Sequence, residues 1–259
     1  MSDHVLYEFK DGVGRITFNR PEARNAFTLQ MYERLEEICQ QAGNDPSIRV
    51  LVLTGAGDKA FAAGTDISEF KTFSTAQHAL DYEVRMDRVL TKLERLALPT
   101  IASIAGVCTG GGATIAACCD LRIGAANARF GVPIARTLGN CLSIANYARF
   151  AALVGPARVK DIIFSARLVE AAEAHSIGLL NEVLPDYASL QSRTEELARL
   201  VASQAPLTLR VTKEALLRIR EKMTPEDDPN LTLKCYMSRD FREGMDAFLN
   251  KRAPNWKGI

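Results

Sequence analysis

"GVCTGGGATIAACCD", residues 106–120, is the stretch that decides the fold. It emerges from the apolar run "TIASIAGV" (100–107), which predicts a buried strand, and passes into small apolar residues that predict a buried helix over 113–119. Three consecutive glycines join the two. Each glycine in a regular element costs about 0.5–1 kcal/mol against alanine, so the run needs a use. A strand, a glycine turn and a helix leave backbone N–H groups free at the positive end of the helix dipole. With no Cβ in the way, a ligand oxygen can come close to them. The dinucleotide pattern needs a glycine where Ile115 stands, and the P-loop needs Gly-Lys-Ser/Thr; both fail. Two uses remain: an oxyanion hole, which needs only a donor and close approach, and tight packing of helix on strand.

A second small-residue turn, "FAAGTDI" (61–67), offers a further backbone N–H at Thr65. It lies between the buried strand predicted by "RVLVLTG" (49–55) and a short helix. Two such turns, one after each of two strands, can aim both donors at one oxygen.

Working outward, residues 5–10 and 13–18 alternate around Asp11-Gly12 and predict a hairpin. Thr28 caps a helix whose apolar face is Met31, Leu35, Ile38 and Ala42. Residues 76–96 predict a long helix stopped by Pro99. "LRIGA" (121–125) and "LLNEVL" (179–184) predict strands, "RFGVP" (130–133 with Arg129) is too short to assign, and 144–164 predicts helix broken at Gly155-Pro156. Beyond residue 188 the pattern is helical, with one break at "TPEDDPN" (224–230). No sequence repeat is visible. This predicts an α/β core over residues 1–188 and a helical C-terminal module over 189–259; the break at Pro225–Pro229 is a candidate boundary, beyond which the last segment crosses to a neighbouring subunit or forms an independent domain.

The 259 residues are 47% hydrophobic and 24% charged, with a formal net charge of +1. That balance gives no electrostatic reason for a nucleic-acid or membrane partner. No apolar run is long enough to span a bilayer, and "MSDHVLYEFKDG" has neither a signal-peptide core nor a transit pattern, so the chain is expected to be cytoplasmic or already trimmed. The six cysteines lack zinc spacing and read as buried, reduced thiols; no metal site is expected.

Four segments together resemble the crotonase, or enoyl-CoA hydratase/isomerase, superfamily. They are "RITFNRPEARNAF", "LTGAGDKAFAAGTDISEF", "PTIASIAGVCTGGGATIAACCDLRIGAANARFGVP" and "EGMDAFLNKRAPNWKG", in that order over nearly the whole chain. The resemblance implies a spiral of ββα units followed by helices, with the C-terminal module mediating homotrimers, often paired into hexamers. It implies an acyl-CoA substrate, no cofactor beyond that coenzyme A moiety, and an enolate held by the backbone N–H groups of Thr65 and Gly111. Arg24 matches a position that binds a CoA phosphate, and Ala63, Asp66, Ile67 and Ser68 match the segment that passes the adenine and pantetheine. Lys257, with Lys251 and Arg252, either approaches the phosphates from a neighbouring subunit or forms an ordinary charged tail. A surface role for Arg24 and a helix-capping role for Asp66 are the plainer alternatives.

The chain departs from that family at the acid and base. The positions of the two hydratase glutamates are occupied by Thr114 and Ile134, and neither side chain transfers a proton at neutral pH. Three explanations stand. Proton transfer has moved to another group, among Asn140, Cys141, Glu83, Arg85, Asp87 and Glu243. Or the reaction relies on the oxyanion hole and a group carried by the substrate. Or the protein is a non-catalytic acyl-CoA binder or interaction subunit. None of His4, His78 and His175 falls at a matched catalytic position.

Overall fold

The computed structural model describes residues 4–259. Strands β1 (Val5–Lys10) and β2 (Val13–Phe18) form the expected antiparallel hairpin. Its two turn residues, Asp11 and Gly12, have φ of 50° and 80°, the positive pair that a two-residue hairpin turn requires. Helix α1 (Leu29–Asn44) begins at Thr28, whose side chain accepts from the Met31 amide at 3.3 Å. Met31, Leu35, Ile38 and Ala42 are all buried along one of its faces.

The next elements repeat one pattern three times. β3 (Val50–Gly55), β4 (Ala60–Ala62) and, after a 3-10 turn at Ile67–Thr72, helix α2 (Ala76–Glu94) make the first unit. β5 (Thr100–Ile104), β6 (Val107–Thr109) and α3 (Gly111–Cys118) make the second. β7 (Leu121–Ala125), β8 (Arg129–Gly131) and α4 (Ile134–Thr137) make the third. Helices α5 (Ile144–Val154) and α6 (Pro156–Ser165), strand β9 (Val169–Glu170), helix α7 (Ala171–Ser176) and strand β10 (Glu182–Leu184) follow.

The first strand of each unit joins a six-stranded sheet, β1-β2-β3-β5-β7-β10, which is parallel except for the β1 hairpin. The second joins a four-stranded sheet, β4-β6-β8-β9. The chain therefore winds as a spiral of ββα units. A strand in such a wall is covered on both faces. Leu51 and Leu53 of β3 enter the main core with Ile16, Phe18 and Leu35. Val50 and Val52 pack instead with Ala198 of α8 (Tyr187–Ser203). That is why β3 reads as an unbroken apolar run.

The structure differs from the sequence expectation in the second sheet. β4, β6 and β8 are only three residues long, too short to show a period. β4 overlaps the start of the stretch over 61–67 where only a small-residue turn was expected. Helix α3 also begins two residues before the expected start, so Gly111 and Gly112 sit in its first turn. A Cβ on Gly112 would overlap the Ala62 carbonyl oxygen, which is backbone and cannot rotate away. Gly112→Ala is expected to lower stability by about 2–3 kcal/mol, read as a shift in the urea midpoint at unchanged slope.

Helices α9 (Pro206–Met223), α10 (Pro229–Tyr236) and α11 (Arg239–Leu249) complete the chain. α10 packs on α2, and α11 packs on α4 and the 3-10 turn. The contact is aromatic: Phe70, Tyr82, Tyr236 and Phe241 form one cluster, with Phe73 against it. The tail closes back on α11, the Arg239 amide donating to the Ile259 carbonyl at 2.7 Å. Among the described residues no helix is long and apolar enough to cross a membrane.

Candidate active site

The two glycine turns meet. Gly64 has φ of +108° and Gly110 has φ of +52°, conformations that side chains resist. A Cβ built on Gly64 would lie 3.4 Å from the Thr109 carbonyl oxygen and 3.8 Å from the Gly111 nitrogen. One built on Gly111 would overlap the Tyr32 hydroxyl and lie 3.4 Å from the Thr65 nitrogen. The Thr65 and Gly111 amides are thus neighbours, and only glycine leaves the space between them open.

Both amides are also unspent. Phe27 pairs with the second turn by donating to the Gly64 carbonyl at 2.8 Å and accepting from the Asp66 amide at 2.7 Å. Extended chain alternates its hydrogen-bonding direction, so the amide of Thr65, between them, faces away from Phe27. Gly111 is the first residue of α3, where an N–H has no partner within its own helix. Among the described residues neither amide donates to a protein acceptor. Two adjacent donors, one on a helix N-terminus, can hold one oxygen as it gains negative charge.

The Thr65 side chain is fixed from both sides. Its Oγ1 lies 2.9 Å from the Tyr32 hydroxyl of α1 and 3.1 Å from the Tyr82 hydroxyl of α2. Burial pushes Tyr32 up to about 12 and raises Tyr82 well above the usual phenol range. Both stay neutral near pH 7 and can share protons with Thr65 as ordinary hydroxyls.

Thr114 and Ile134 carry no proton-transfer chemistry. The Thr114 hydroxyl is turned back on its own helix, donating to the Gly111 carbonyl at 2.8 Å. Ile134 is buried as the first residue of α4. Of the other proton-transfer candidates, Arg85 is paired with Glu33 and Asp87 with the buried Arg149. Glu243 is clasped by Arg252, with the Asn255 amide also donating to it, and its carboxyl is held down to about 2. These groups are committed to structural ion pairs.

Glu83 is the exception. It is half-buried on α2, and the Tyr236 hydroxyl of α10 donates to it at 2.6 Å. Asn140 Nδ2 in turn donates to the Tyr236 hydroxyl at 3.3 Å, while its Oδ1 is buried without a partner among the described residues. Burial pushes the Glu83 carboxyl up to about 7, against the Tyr236 hydrogen bond and helped by the charges of Asp227 and Asp87. Glu83 follows Tyr82 on α2, and the Tyr82 hydroxyl is tied through Thr65 to the Gly111 end of α3.

Arg24, Ala63, Asp66, Ile67 and Ser68 come together beside the second turn. The Ala63 amide donates to the Arg24 carbonyl at 3.0 Å, and the Arg24 side chain is exposed. The Asp66 carboxylate caps Ser68 at 3.0 Å and pairs with Arg20 at 2.8 Å, so its capping role is real. Lys257 lies on the tail, its amide donating to Asp240 of α11 at 2.7 Å.

The family model for enoyl-CoA hydratase/isomerase matches residues 8–259. The chain belongs to the enoyl-CoA hydratase/isomerase family. It is 34% identical to a short-chain-enoyl-CoA hydratase of Clostridium acetobutylicum, covering 96% of each chain. It is 32% identical to a crotonyl-CoA hydratase of Syntrophomonas wolfei, covering 98% of each. Among solved structures, a methylmalonyl-CoA decarboxylase in complex with 2-nitronate-propionyl-CoA superposes with a TM-score of 0.91 at 28% identity, over 100% of both chains. Tyr32, Tyr82 and Tyr236, whose hydroxyls bond Thr65 and Glu83, are the candidate site residues that sequence reasoning missed. Tyrosines at helical spacing look like core, and all three rings do pack as core. Their hydroxyls are what bond Thr65 and Glu83.

Proposed function

We propose that this enoyl-CoA hydratase/isomerase family member converts an acyl-CoA thioester through an enolate. The Thr65 and Gly111 amides receive the thioester oxygen, and Glu83 is the proton-transfer group. The observation that carries the proposal is the pair of adjacent, unspent amides. In a dry site one such donor is worth about 2.7–4 kcal/mol of transition-state stabilisation. A carboxyl that ionises near neutrality, as Glu83 does, is matched to moving a proton at Cα. The thioester oxygen supplies the electron sink, so the reading calls for no metal or redox cofactor. Arg24 would meet a CoA phosphate, the backbone from Ala63 to Ser68 would follow the pantetheine and adenine, and Lys257 would add charge at the rim.

Hydration of a simple enoyl-CoA needs one proton taken from water and another delivered to Cα. With Thr114 and Ile134 in the two glutamate positions, Glu83 alone serves reactions that need a single proton transfer. Loss of a substrate carboxylate is one. The Cα–carboxylate bond breaks, its electron pair enters the enolate, CO₂ leaves, and protonated Glu83 delivers the proton to Cα. The full-length likeness to a methylmalonyl-CoA decarboxylase supports this choice among the family's reactions.

The test is a panel of crotonyl-CoA, a 3-enoyl-CoA and methylmalonyl-CoA, with calorimetry of each thioester and its free acid. Tighter binding of thioesters, slow crotonyl-CoA hydration and faster turnover of the carboxylated substrate are expected. Equal affinity for thioester and acid would remove the acyl-CoA reading. Strong binding with no turnover across the panel would replace the enzyme by the non-catalytic acyl-CoA binder. Self-association as a homotrimer or hexamer belongs to the same reading. It is supported by the exposed Leu207, Val211, Ile219 and Met223 of α9, and sedimentation tests it.

A further inference from the structure

Four of the six thiols, Cys39, Cys108, Cys118 and Cys119, are buried, and burial holds each in the neutral form. The other two are half-buried, and they meet across the fold. Cys141 lies in the loop between α4 and α5, and Cys235 lies in the last turn of α10. The Cys141 thiol donates to the Leu231 carbonyl oxygen at 3.8 Å, one helical turn before Cys235, so the two thiols are neighbours.

We infer that Cys141 and Cys235 are a reversible oxidation site, a dithiol that hydrogen peroxide converts into a disulfide tying α10 to the loop between α4 and α5. The roles within the pair follow from their surroundings. Cys141 is held as a thiol, its proton directed at the Leu231 carbonyl, while Cys141 and the nearby Lys234 lower Cys235 to about 7. Cys235 is then the thiolate that attacks. Its sulfur takes one peroxide oxygen as the O–O bond breaks, giving a sulfenic acid and hydroxide. The Cys141 sulfur displaces that oxygen as water, forming the S–S bond. The hydroxide takes up the remaining proton. Two thiols lose two electrons, one peroxide gains them, and two waters result.

The consequence reaches the neighbouring site through the chain itself. Asn140 precedes Cys141, Tyr236 follows Cys235, and these two side chains hydrogen-bond at 3.3 Å. A disulfide would hold both ends of that contact. The inference does not depend on the proposed reaction, because its readout is chemical.

The full-length protein, reduced and desalted, is treated with peroxide, denatured, alkylated and digested without reductant for mass spectrometry. A Cys141–Cys235 cross-linked peptide from the monomer band is expected, with alkylatable thiols falling from six to four and returning to six with dithiothreitol. Cys141→Ser should stop at a Cys235 sulfenic acid that dimedone traps, and Cys235→Ser should leave Cys141 unlabelled at the same dose. Sulfinic acid at either residue of the parent without a cross-link overturns the inference. So does a cross-link found only in a dimer band, or dimedone labelling of Cys141 in Cys235→Ser that equals that of Cys235 in Cys141→Ser.

Discussion

Glu83→Gln should lower turnover by about 10²–10⁴-fold, the contribution of one positioned acid or base, and should raise stability at pH 8. The two effects come from one cause. Glu83 ionises near 7 in the folded protein against 4.5 for an ordinary glutamate carboxyl, chiefly because burial disfavours its charge. Each unit corresponds to about 1.4 kcal/mol. The folded state therefore holds this proton longer than the unfolded chain does. Its contribution to stability is full below pH 4.5 and falls as pH rises through the window from 4.5 to about 7. Gln carries no charge, keeps an acceptor for the Tyr236 hydroxyl, and removes the penalty. With the carboxyl half-open to solvent, a gain on the order of 2 kcal/mol at pH 8 is expected, vanishing near pH 4.

The pH–rate profile adds the sign of the proton transfer. If protonated Glu83 delivers a proton after loss of a carboxylate, kcat falls as pH rises through about 7. If ionised Glu83 removes a proton in a double-bond shift, kcat rises through the same pH. Either inflection should vanish in Glu83→Gln. The charged groups acting on Glu83 are Asp87 and Asp227, with Tyr236 as its hydrogen-bond donor, and Asp227→Asn should lower the inflection by relieving repulsion. Unchanged turnover in Glu83→Gln with the stability gain present would make Glu83 a buried structural carboxyl.

What was legible in the sequence was what local physics specifies. The β1–β2 turn follows from Asp11-Gly12, the α1 start from Thr28, and β3 from an unbroken apolar run covered on both faces. The second sheet was hidden because three-residue strands have no period to detect. At the site, Thr65 and Gly111 were expected from two small-residue turns and the family resemblance, and the structure sets their amides side by side. The Glu83–Tyr236–Asn140 contact could not be read. It joins α2, α10 and the loop after α4, and its geometry depends on how the last helices fold back over α2. Glu83 alone, among Arg85, Asp87 and Arg88 on one charged helix, carries no mark that separates it from a solvated face. Its burial and its lack of a cationic partner among the described residues do.

The amide of Gly111 can be removed by proline, and the fold makes this a cleaner test than it first looks. Gly111 is the first residue of α3, the one helical position where proline's fixed φ and missing N–H are tolerated. The obstacle is its Cβ, which would overlap the Tyr32 hydroxyl. Tyr32→Phe removes that oxygen. On its own it should cost about 1 kcal/mol, a few-fold in kcat/KM, because Thr65 keeps its hydrogen bond to Tyr82 at 3.1 Å. Adding Gly111→Pro to Tyr32→Phe should then lower kcat by a further 10²–10³-fold, the effect of one lost oxyanion donor. Binding of the CoA portion should persist, since Arg24 and the 63–68 backbone lie on the other turn. Calorimetry with free coenzyme A checks that, and circular dichroism checks that α3 still forms. A folded double variant that binds coenzyme A and turns over as fast as Tyr32→Phe would mean that the glycines after β6 serve only to pack α3 against Ala62, and that the thioester oxygen is held elsewhere.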